Sequence, residues 1–240
     1  MKNKIYIISD VHGCVKTLKA LIQKLPSNIK ICFVGDLIDR GAYSKDVVDL
    51  IISNDYDCVL GNHEAKFIDT LSVLIAGLDN GNKDFQWLEN KVRQETLLSY
   101  GIHSMKNFTE EKLITIKKHL VFFKSLPLYK EYKEIKTGDN RHLVVSHSHV
   151  ADKWQYRSWD IDSLEYKVFM KYSLSSRFKN FDNKYIYNVY GHTPLNKPII
   201  DDHKSCIDLG CAFNNKSNLK GYLCALEFPS MHFIKQEHIE

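Results

Sequence analysis

Long hydrophobic runs are what this sequence most clearly lacks. No apolar stretch approaches the roughly 18 to 20 residues that a membrane span requires. The first apolar run, Ile5-Tyr6-Ile7-Ile8, is soon followed by Asp10 and His12. It is too short for the apolar core of a signal peptide. We therefore interpret this run as a first buried strand, and we expect a cytoplasmic protein with no membrane partner.

The sequence also lacks the paired cysteines of a metal or disulfide framework. None of its six cysteines forms a Cys-x-x-Cys motif, so we expect neither a four-cysteine zinc site nor a set of disulfides. We interpret all six as buried, reduced thiols.

A strong charge of either sign is absent as well. The 33 Lys and Arg residues against 29 Asp and Glu leave a net charge of +4. This small excess favours phosphate-bearing substrates, but it does not single out nucleic acid, and we expect no stable nucleic-acid partner. A composition of 44% hydrophobic and 26% charged residues is typical of soluble globular proteins and excludes intrinsic disorder as the main state.

The pattern along the chain predicts an α/β fold. Strand and helix signals alternate over the first third, which favours a parallel sheet with right-handed crossovers. The predicted strands here are 4–9, 29–34 and 57–60; the predicted helices are 15–25 and one that Ser44 can cap. We expect residues 1–240 to form a single domain.

Residues 65–126 are predicted to be a mainly helical insertion within that domain. Its clearest helix runs from about Thr109 to Leu126 and stops before Pro127. The last third predicts a mainly antiparallel half, with a hairpin turn at 137–140. Its predicted strands are 128–135, 142–146, 185–190, 204–209, 222–228 and 231–235.

Polar residues end each of the first three strands. The segments are Ser9-Asp10-Val11-His12-Gly13, Gly35-Asp36-Leu37-Ile38-Asp39-Arg40-Gly41 and Gly61-Asn62-His63-Glu64. Ligands of open α/β sheets bind at the carboxyl ends of the strands. Turn formation explains one such segment but explains three of them poorly.

These residue types suit divalent metals such as Mn, Fe or Zn. Asp10 and His12 alternate along an extended segment, which directs both side chains toward one ion. Asp36 has two carboxylate oxygens and can bridge two ions, and Asn62 offers an amide oxygen. Two later segments add imidazoles after strand-like runs: His147-Ser148-His149 and Gly191-His192-Thr193-Pro194.

Together these motifs resemble the calcineurin-like metallophosphoesterases. The pattern is Asp-x-His-Gly, Gly-Asp-x-x-Asp-Arg-Gly, Gly-Asn-His-Glu, a later strand-end His and Gly-His-Thr-Pro, in the family's order. The resemblance is strongest to the phosphoprotein phosphatase branch, namely bacterial and phage-type Ser/Thr phosphatases and symmetrical diadenosine tetraphosphatases. Residues 94–101 and 207–210 also resemble this branch. The resemblance implies a metallophosphoesterase βαβαβ sandwich, with central sheets flanked by helices around a two-metal site.

Carried over by position, the resemblance implies the residue roles. One metal would take Asp10, His12 and Asp36, and the other Asp36, Asn62, His147 and His192, with Mn²⁺ expected and Fe or Zn as alternatives. A hydroxide activated by the two metals would attack phosphorus. His63 would protonate the leaving group while Asp39 orients its ring. The expected phosphate-binding residues are Arg40, Arg177 and Asn62.

Several alternatives stay open at this stage. The fourth motif offers both His147 and His149, and we favour His147 because it lies closer to the preceding strand. The His-x-His spacing also occurs in metallo-β-lactamases, but the Asp-His pair that should follow is missing. Glu64 is interpreted as a residue that starts the insertion helix rather than as a ligand. The histidines without motif context are interpreted as surface or packing residues: His103, His119, His142, His203, His232 and His238.

We expect a phosphomonoesterase that acts on phosphoserine or phosphothreonine in proteins or peptides. The alternative is a hydrolase of dinucleoside polyphosphates such as diadenosine tetraphosphate. A more remote alternative is a non-catalytic binding protein on the same scaffold. Trp154, Tyr156 and Trp159 would either stack a nucleobase or pack in the pocket wall, as would Trp87.

Overall fold

The computed structural model describes residues 4–79, 91–103, 109–177, 183–213 and 219–240. Two five-stranded sheets form its centre. The first sheet consists of β1 (Ile5–Ile8), β2 (Lys30–Phe33), β3 (Asp57–Cys58), β9 (Tyr222–Phe228) and β10 (His232–Glu237). Its strands lie side by side in the order β10-β9-β1-β2-β3. The second sheet consists of β4 (Tyr129–Lys136), β5 (His142–Ser146), β6 (Ile186–Tyr190), β7 (Ile199–Ile200) and β8 (Lys204–Cys206). Its strands lie side by side in the order β4-β5-β6-β8-β7.

Six helices accompany the sheets in the part of the chain that the structure describes. They are α1 (Val15–Ile22), α2 (Ser44–Ser53), α3 (Asn62–Asp79), α4 (Lys91–Ser99), α5 (Glu110–Ser125) and α6 (Leu164–Ser175). Two segments, Ala151–Ser158 and Cys211–Phe213, are 3₁₀ helices. None of the described helices is both long enough and apolar enough to cross a membrane.

The first sheet confirms the predicted βαβαβ unit. Strand β1 pairs in parallel with β2, and β2 pairs in parallel with β3. Strand β3 ends two residues earlier than predicted, and the N–H of Leu60 donates to the carbonyl of Pro127 (2.8 Å) instead of continuing the ladder. On its other side, β1 pairs antiparallel with β9.

The second sheet differs from the mainly antiparallel half that the sequence predicted. Strands β5, β6 and β8 run parallel, and only the outer pairs β4–β5 and β7–β8 are antiparallel. A tight turn at 137–140 allows the antiparallel β4–β5 hairpin, whereas residues 147–185 and 191–203 are long enough for crossovers between parallel strands. The two-residue strand β7 was not predicted.

The apolar side chains form a sandwich core. In β1, Ile5 and Ile7 lie in the cluster between the two sheets, where they meet Val145 and Val189. Tyr6 and Ile8 point to the opposite face and pack with the α1 and α2 side. Every residue of β1 is therefore buried, which is why its sequence is continuously apolar rather than alternating.

Two expected helix starts have different outcomes. Thr109 is the N-cap of α5, and its side chain accepts the N–H of Lys112 (3.5 Å). The prediction that Ser44 caps α2 is wrong, because Tyr43 holds the cap position and Ser44 is the first helical residue. The Ser44 hydroxyl instead accepts the N–H of Asp39 (3.1 Å), so it supports the loop after β2.

Candidate metal centre

The loops that follow β1, β2, β5 and β6 meet at one edge of the sandwich. The N–H of Val11 donates to the carbonyl of Asp36 (3.0 Å), and the N–H of Gly13 to that of Leu37 (2.8 Å). In the second sheet, the N–H of Gly191 donates to the carbonyl of His147 (3.0 Å). These bonds fix the backbone from which the polar side chains project.

Several residues of this edge hold a left-handed backbone that non-glycine residues rarely adopt. The φ angles are 48° at His12, 51° at Asp36, 71° at Asp39 and 69° at Arg40 and His192. Each such residue costs of the order of 1 kcal/mol or more and persists only where the surroundings enforce it. Backbone strain is thus concentrated where the predicted site residues lie.

The Glu64 carboxylate supplies much of that enforcement. It is fully buried in the first turn of α3. Its oxygens accept the N–H groups of Asp36 (2.8 Å), Leu37 (2.8 Å), Ile38 (3.2 Å) and Gly61 (3.1 Å). Glu64 was predicted to start a helix, but this structural role of its carboxylate was not predicted, although the position of Glu64 in Gly-Asn-His-Glu was the available signal.

The side chains of His12, His63 and Asp36 form a first group of donors. Asp36 Oδ2 lies 3.6 Å from His12 Nε2 and 3.8 Å from His63 Nε2. These three residues offer donor atoms within 4.8 Å of one another.

A second group consists of His147, His192 and Asp36. His147 Nε2 lies 3.1 Å from His192 Nδ1 and 3.5 Å from Asp36 Oδ1. The same nitrogen is 2.8 Å from the Asn62 amide oxygen. Asp36 belongs to both groups and directs a different carboxylate oxygen toward each, as expected for a bridging ligand.

The ring orientations leave the site-facing nitrogens free of protons. The Nδ1–H of His12 donates to the Ile38 carbonyl (2.8 Å), and that of His147 to the Val34 carbonyl (2.9 Å). Burial lowers the pKa of His12 to about 4, that of His192 to about 3, and also that of His147. Neutral imidazoles with a fixed tautomer are the form that metal ions bind.

Three buried carboxylates, those of Asp10, Asp36 and Asp208, lie near these imidazoles. Asp10 accepts the N–H of His192 (3.1 Å) and lies 3.9 Å from His147 Nδ1. Burial, reinforced by Asp208 and Asp36, raises the pKa of Asp10 well above its usual range. Burial also raises the pKa of Asp208 to about 7. Carboxylates and imidazoles gathered in this way are the donors that borderline divalent ions prefer, so the site fits cations.

A hydrogen-bonded pair lies beside the first group. His63 Nδ1 is 2.6 Å from Asp39 Oδ2. Burial acts to lower the pKa of His63, but the bond to Asp39 and the charge of Asp36 outweigh it and raise that pKa. Thr96 of α4 donates to the other Asp39 oxygen (2.5 Å) and accepts the Asp39 N–H (2.9 Å).

Both predicted phosphate-binding arginines lie at this edge with exposed side chains. The Arg40 guanidinium lies 4.9 Å from the centre of the Phe213 ring. Arg177, just beyond α6, is near enough for its charge to contribute to the lowered pKa of His192.

The structure separates the two histidines of the fourth motif. His147 contacts Asn62, His192 and Asp36, whereas His149 is buried with its ring centre 5.2 Å from that of Tyr190. Trp154 is buried against Tyr129 and Phe169, while Trp159 is 51% exposed. Trp87 lies outside the described residues.

The fold and this site define a metallophosphoesterase. A model of the calcineurin-like phosphoesterase family matches residues 3–196, and the chain belongs to that family. It is therefore a phosphoester hydrolase of a family with a dinuclear metal site, as the resemblance implied.

Two curated relatives that the chain resembles over almost its whole length are named as tetraphosphatases. The asymmetrical bis(5'-nucleosyl)-tetraphosphatase PrpE of Oceanobacillus iheyensis is 29% identical over 260 residues, covering 96% of this chain and 91% of the relative. The enzyme of the same name from Halalkalibacterium halodurans is 29% identical over 255 residues, with 95% and 91% covered.

Solved structures share the fold at low sequence identity. A candidate diadenosine tetraphosphatase superposes with a TM-score of 0.61 at 17% identity, over 100% of this chain and 96% of the other. A protein serine/threonine phosphatase from Saccharomyces cerevisiae gives a TM-score of 0.58 at 13% identity, over 99% and 81%. These similarities support the fold and do not discriminate between substrates.

Proposed function

We propose that this protein hydrolyses bis(5'-nucleosyl) tetraphosphates, with asymmetrical cleavage into a nucleoside triphosphate and a monophosphate. The observation that carries the proposal is its near-full-length similarity to curated enzymes of that name. Of the two substrate classes expected from the sequence, this one was the alternative. Phosphoserine or phosphothreonine, our first expectation, has no support from the curated relatives.

The proposed metal ligands are the residues of the two donor groups other than His63, together with Asp10 and Asn62. His12, Asp36 and Asp10 would hold one divalent cation, and Asp36, Asn62, His147 and His192 the other, with Mn²⁺ as the proposed ion. When bound, such a pair supplies positive charge to the phosphate oxygens and makes a water molecule acidic enough to ionise near neutral pH.

His63 is the proposed general acid. Its imidazole lies at the rim of the site, and its raised pKa keeps a proton available near neutral pH. Asp39 holds Nδ1, which leaves Nε2–H to face the leaving oxygen. Proton donation of this kind typically accelerates a reaction by a hundredfold to ten-thousandfold.

Arg40 and Arg177 are the proposed phosphate-binding residues, with Asn62. Both guanidinium groups are exposed at the edge where the site opens, and their planar forks suit the oxygens of a phosphate chain. Phe213 limits the directions that Arg40 can adopt because the guanidinium packs over its ring.

The decisive experiment compares substrates on one preparation. Purified protein with Mn²⁺ is offered diadenosine tetraphosphate and a phosphoserine peptide at equal concentrations, and the products are separated. We expect kcat/KM to favour the dinucleotide at least about tenfold, with ATP and AMP as products. Two ADP molecules would indicate symmetrical cleavage, and preferred turnover of the peptide would overturn the proposal.

A further inference from the structure

Two cysteine thiols and an imidazole converge at a place that the proposed reaction does not use. Cys14, Cys211 and His238 offer one donor atom each, all within 4.8 Å of one another. Cys14 Sγ lies 3.7 Å from His238 Nδ1. Both cysteines are fully buried, and the His238 side chain is only 12% exposed.

Three distant parts of the chain build this cluster. Cys14 directly precedes α1, and Cys211 begins the 3₁₀ helix after the second sheet. His238 follows β10, and its N–H donates to the Gly221 carbonyl (2.9 Å). Because the three residues lie so far apart in sequence, they form no sequence motif, and the spacing of the cysteines does not indicate the cluster.

We propose that Cys14, Cys211 and His238 bind one zinc ion, separate from the phosphoesterase centre. With Zn–S near 2.3 Å and Zn–N near 2.0–2.1 Å, tetrahedral coordination places two sulfurs about 3.8 Å apart and a sulfur and a nitrogen about 3.5–3.6 Å apart. The observed separation of 3.7 Å between Cys14 Sγ and His238 Nδ1 matches the second value. Binding releases the two thiol protons to solvent.

Glu240 lies beside the cluster without belonging to it. Its Oε2 lies 3.9 Å from His238 Nδ1. Its Oε1 accepts the N–H groups of Lys16 (2.6 Å) and Thr17 (3.2 Å) in the first turn of α1, which fixes the carboxylate beside the cluster. Its Oε2 accepts the Thr17 hydroxyl (2.5 Å) and is not among the donor atoms that lie within 4.8 Å of one another, so Cys14, Cys211 and His238 are the proposed ligands.

Ordinary packing of buried thiols does not explain this arrangement. The thiols of Cys32 and Cys58 each donate to the carbonyl of the next residue in the chain, and neither belongs to a group of three possible metal donors in the described residues. Among the three-donor groups found in the described residues, the cluster of Cys14, Cys211 and His238 is the one that contains sulfur.

The zinc would connect the site loops to the segment after β10. Cys14 stands two residues beyond His12, and Cys211 is two residues before Phe213, on which Arg40 packs. Loss of zinc should therefore loosen the positions of His12 and Arg40 without removing a ligand of the phosphoesterase centre.

Cobalt absorption tests the proposal without depending on activity. The full chain is purified with reductant, stripped with chelator and titrated with Co²⁺, which replaces Zn²⁺ and gives a thiolate-to-cobalt charge-transfer band only at sulfur ligands. We expect the band to saturate at one Co²⁺ per chain and to disappear when Zn²⁺ is added. It should persist in Asp36→Asn, whose defect lies in the other centre.

Matched variants assign the ligands. Cys14→Ser and Cys211→Ser should abolish the band, whereas Cys32→Ser, which alters another buried thiol, should retain it. If the serine variants do not fold, His238→Asn serves instead, and its zinc affinity should fall at least about tenfold. The proposal is overturned by the absence of a band in the reduced wild-type protein. An undiminished band and unchanged zinc affinity in His238→Asn would remove His238 as a ligand and overturn it equally.

Discussion

Among single residues, the histidines are divided by their protonation. His12 and His147 are buried and His192 is half-buried, and all three have lowered pKa values, so they are neutral at pH 7 and able to donate lone pairs. His63 keeps a raised pKa because Asp39 and Asp36 favour its charged form despite its burial. The pKa of this side-chain type is thus shifted in opposite directions within one site, and the hydrogen bond to Asp39 distinguishes His63 from the other three histidines.

The pH profile of an Asp39→Asn variant tests this division. A general acid must be protonated, so activity is present below the pKa of His63 and is lost as the pH rises through it. Because Asp39 raises that pKa, its removal should move the basic limb of kcat/KM to lower pH. A limb that stays in place while kcat falls would mean that Asp39 acts on something other than the proton of His63.

Metal retention tests the choice between the two histidines of the fourth motif. His147 lies among the donors, whereas His149 packs against Tyr190. His147→Ala should lower the Mn²⁺ bound per chain, and His149→Ala should leave it near the wild-type value, as measured by elemental analysis after dialysis. Equal metal content in both variants would contradict our assignment.

Among the secondary-structure elements, α4 reaches the site through one hydroxyl. Thr96 is fully buried and makes two hydrogen bonds to Asp39, one to the carboxylate and one to the N–H. We interpret it as a positioning residue, since it contacts the partner of His63 and no donor group. Residues 94–101 resembled the family in sequence, but only the fold reveals what they hold.

Thr96→Val should lower kcat about tenfold to a hundredfold, because a hydrogen bond to a charged group typically contributes about 1.5–3 kcal/mol. The basic limb of the pH profile should shift in the same direction as in Asp39→Asn. Thr96→Ser keeps the hydroxyl and should restore both properties. An unshifted limb in Thr96→Val would show that Thr96 has only a packing role.

The loop after β6 leaves no room for a side chain at Gly191. A Cβ there would overlap Asp10 Oδ2 and lie 2.8 Å from a methyl group of Val34. Gly191→Ala should therefore displace Asp10, reduce bound metal and activity, and lower the free energy of unfolding by about 1–3 kcal/mol.

Gly138→Ala is the matched control, because no atom lies within 4 Å of a Cβ at that position. Denaturant unfolding and metal content of the two variants, measured together, check the expectation. Comparable losses in both would mean that contact with Asp10 is not the cause.

Across the whole molecule, the site depends on the junction of the two sheets. Loops of the first sheet provide His12 and Asp36, and loops of the second provide His147 and His192. The bond from His147 Nδ1–H to the Val34 carbonyl (2.9 Å) joins the two sheets at the site itself. In the described residues no lysine or arginine hydrogen-bonds to the buried carboxylates gathered there, so we expect bound cations to stabilise them.

Metal removal should accordingly destabilise the whole fold. At a metal concentration a hundredfold above Kd, binding adds about 2.7 kcal/mol to the free energy of unfolding. For a chain of this size, each kcal/mol corresponds to roughly 2–4 °C in unfolding temperature. Calorimetry of Mn²⁺-loaded and chelator-treated protein measures the difference, which should shrink in Asp36→Asn. An identical difference in that variant would place the stabilising cation elsewhere.

The sequence predicted the elements that depend on local pattern. The continuous apolar run of β1, the helix capped by Thr109 and the strand-ending motifs were all found from it. The capping of α2 by Ser44 failed because a hydroxyl can serve either a helix end or a nearby loop, and only the fold decides which. The extent of the single domain and of the 65–126 insertion stays a prediction.

The sequence by itself determined the chemistry of this protein: which carboxylates and imidazoles are present, their order, and their attachment to strand ends. Only the tertiary structure decided that His147 rather than His149 meets Asn62, that Glu64 and Thr96 hold the loops, and that Cys14, Cys211 and His238 meet. The reason is physical. Short-range patterns fix local conformation, whereas contacts between distant segments depend on how the two sheets pack.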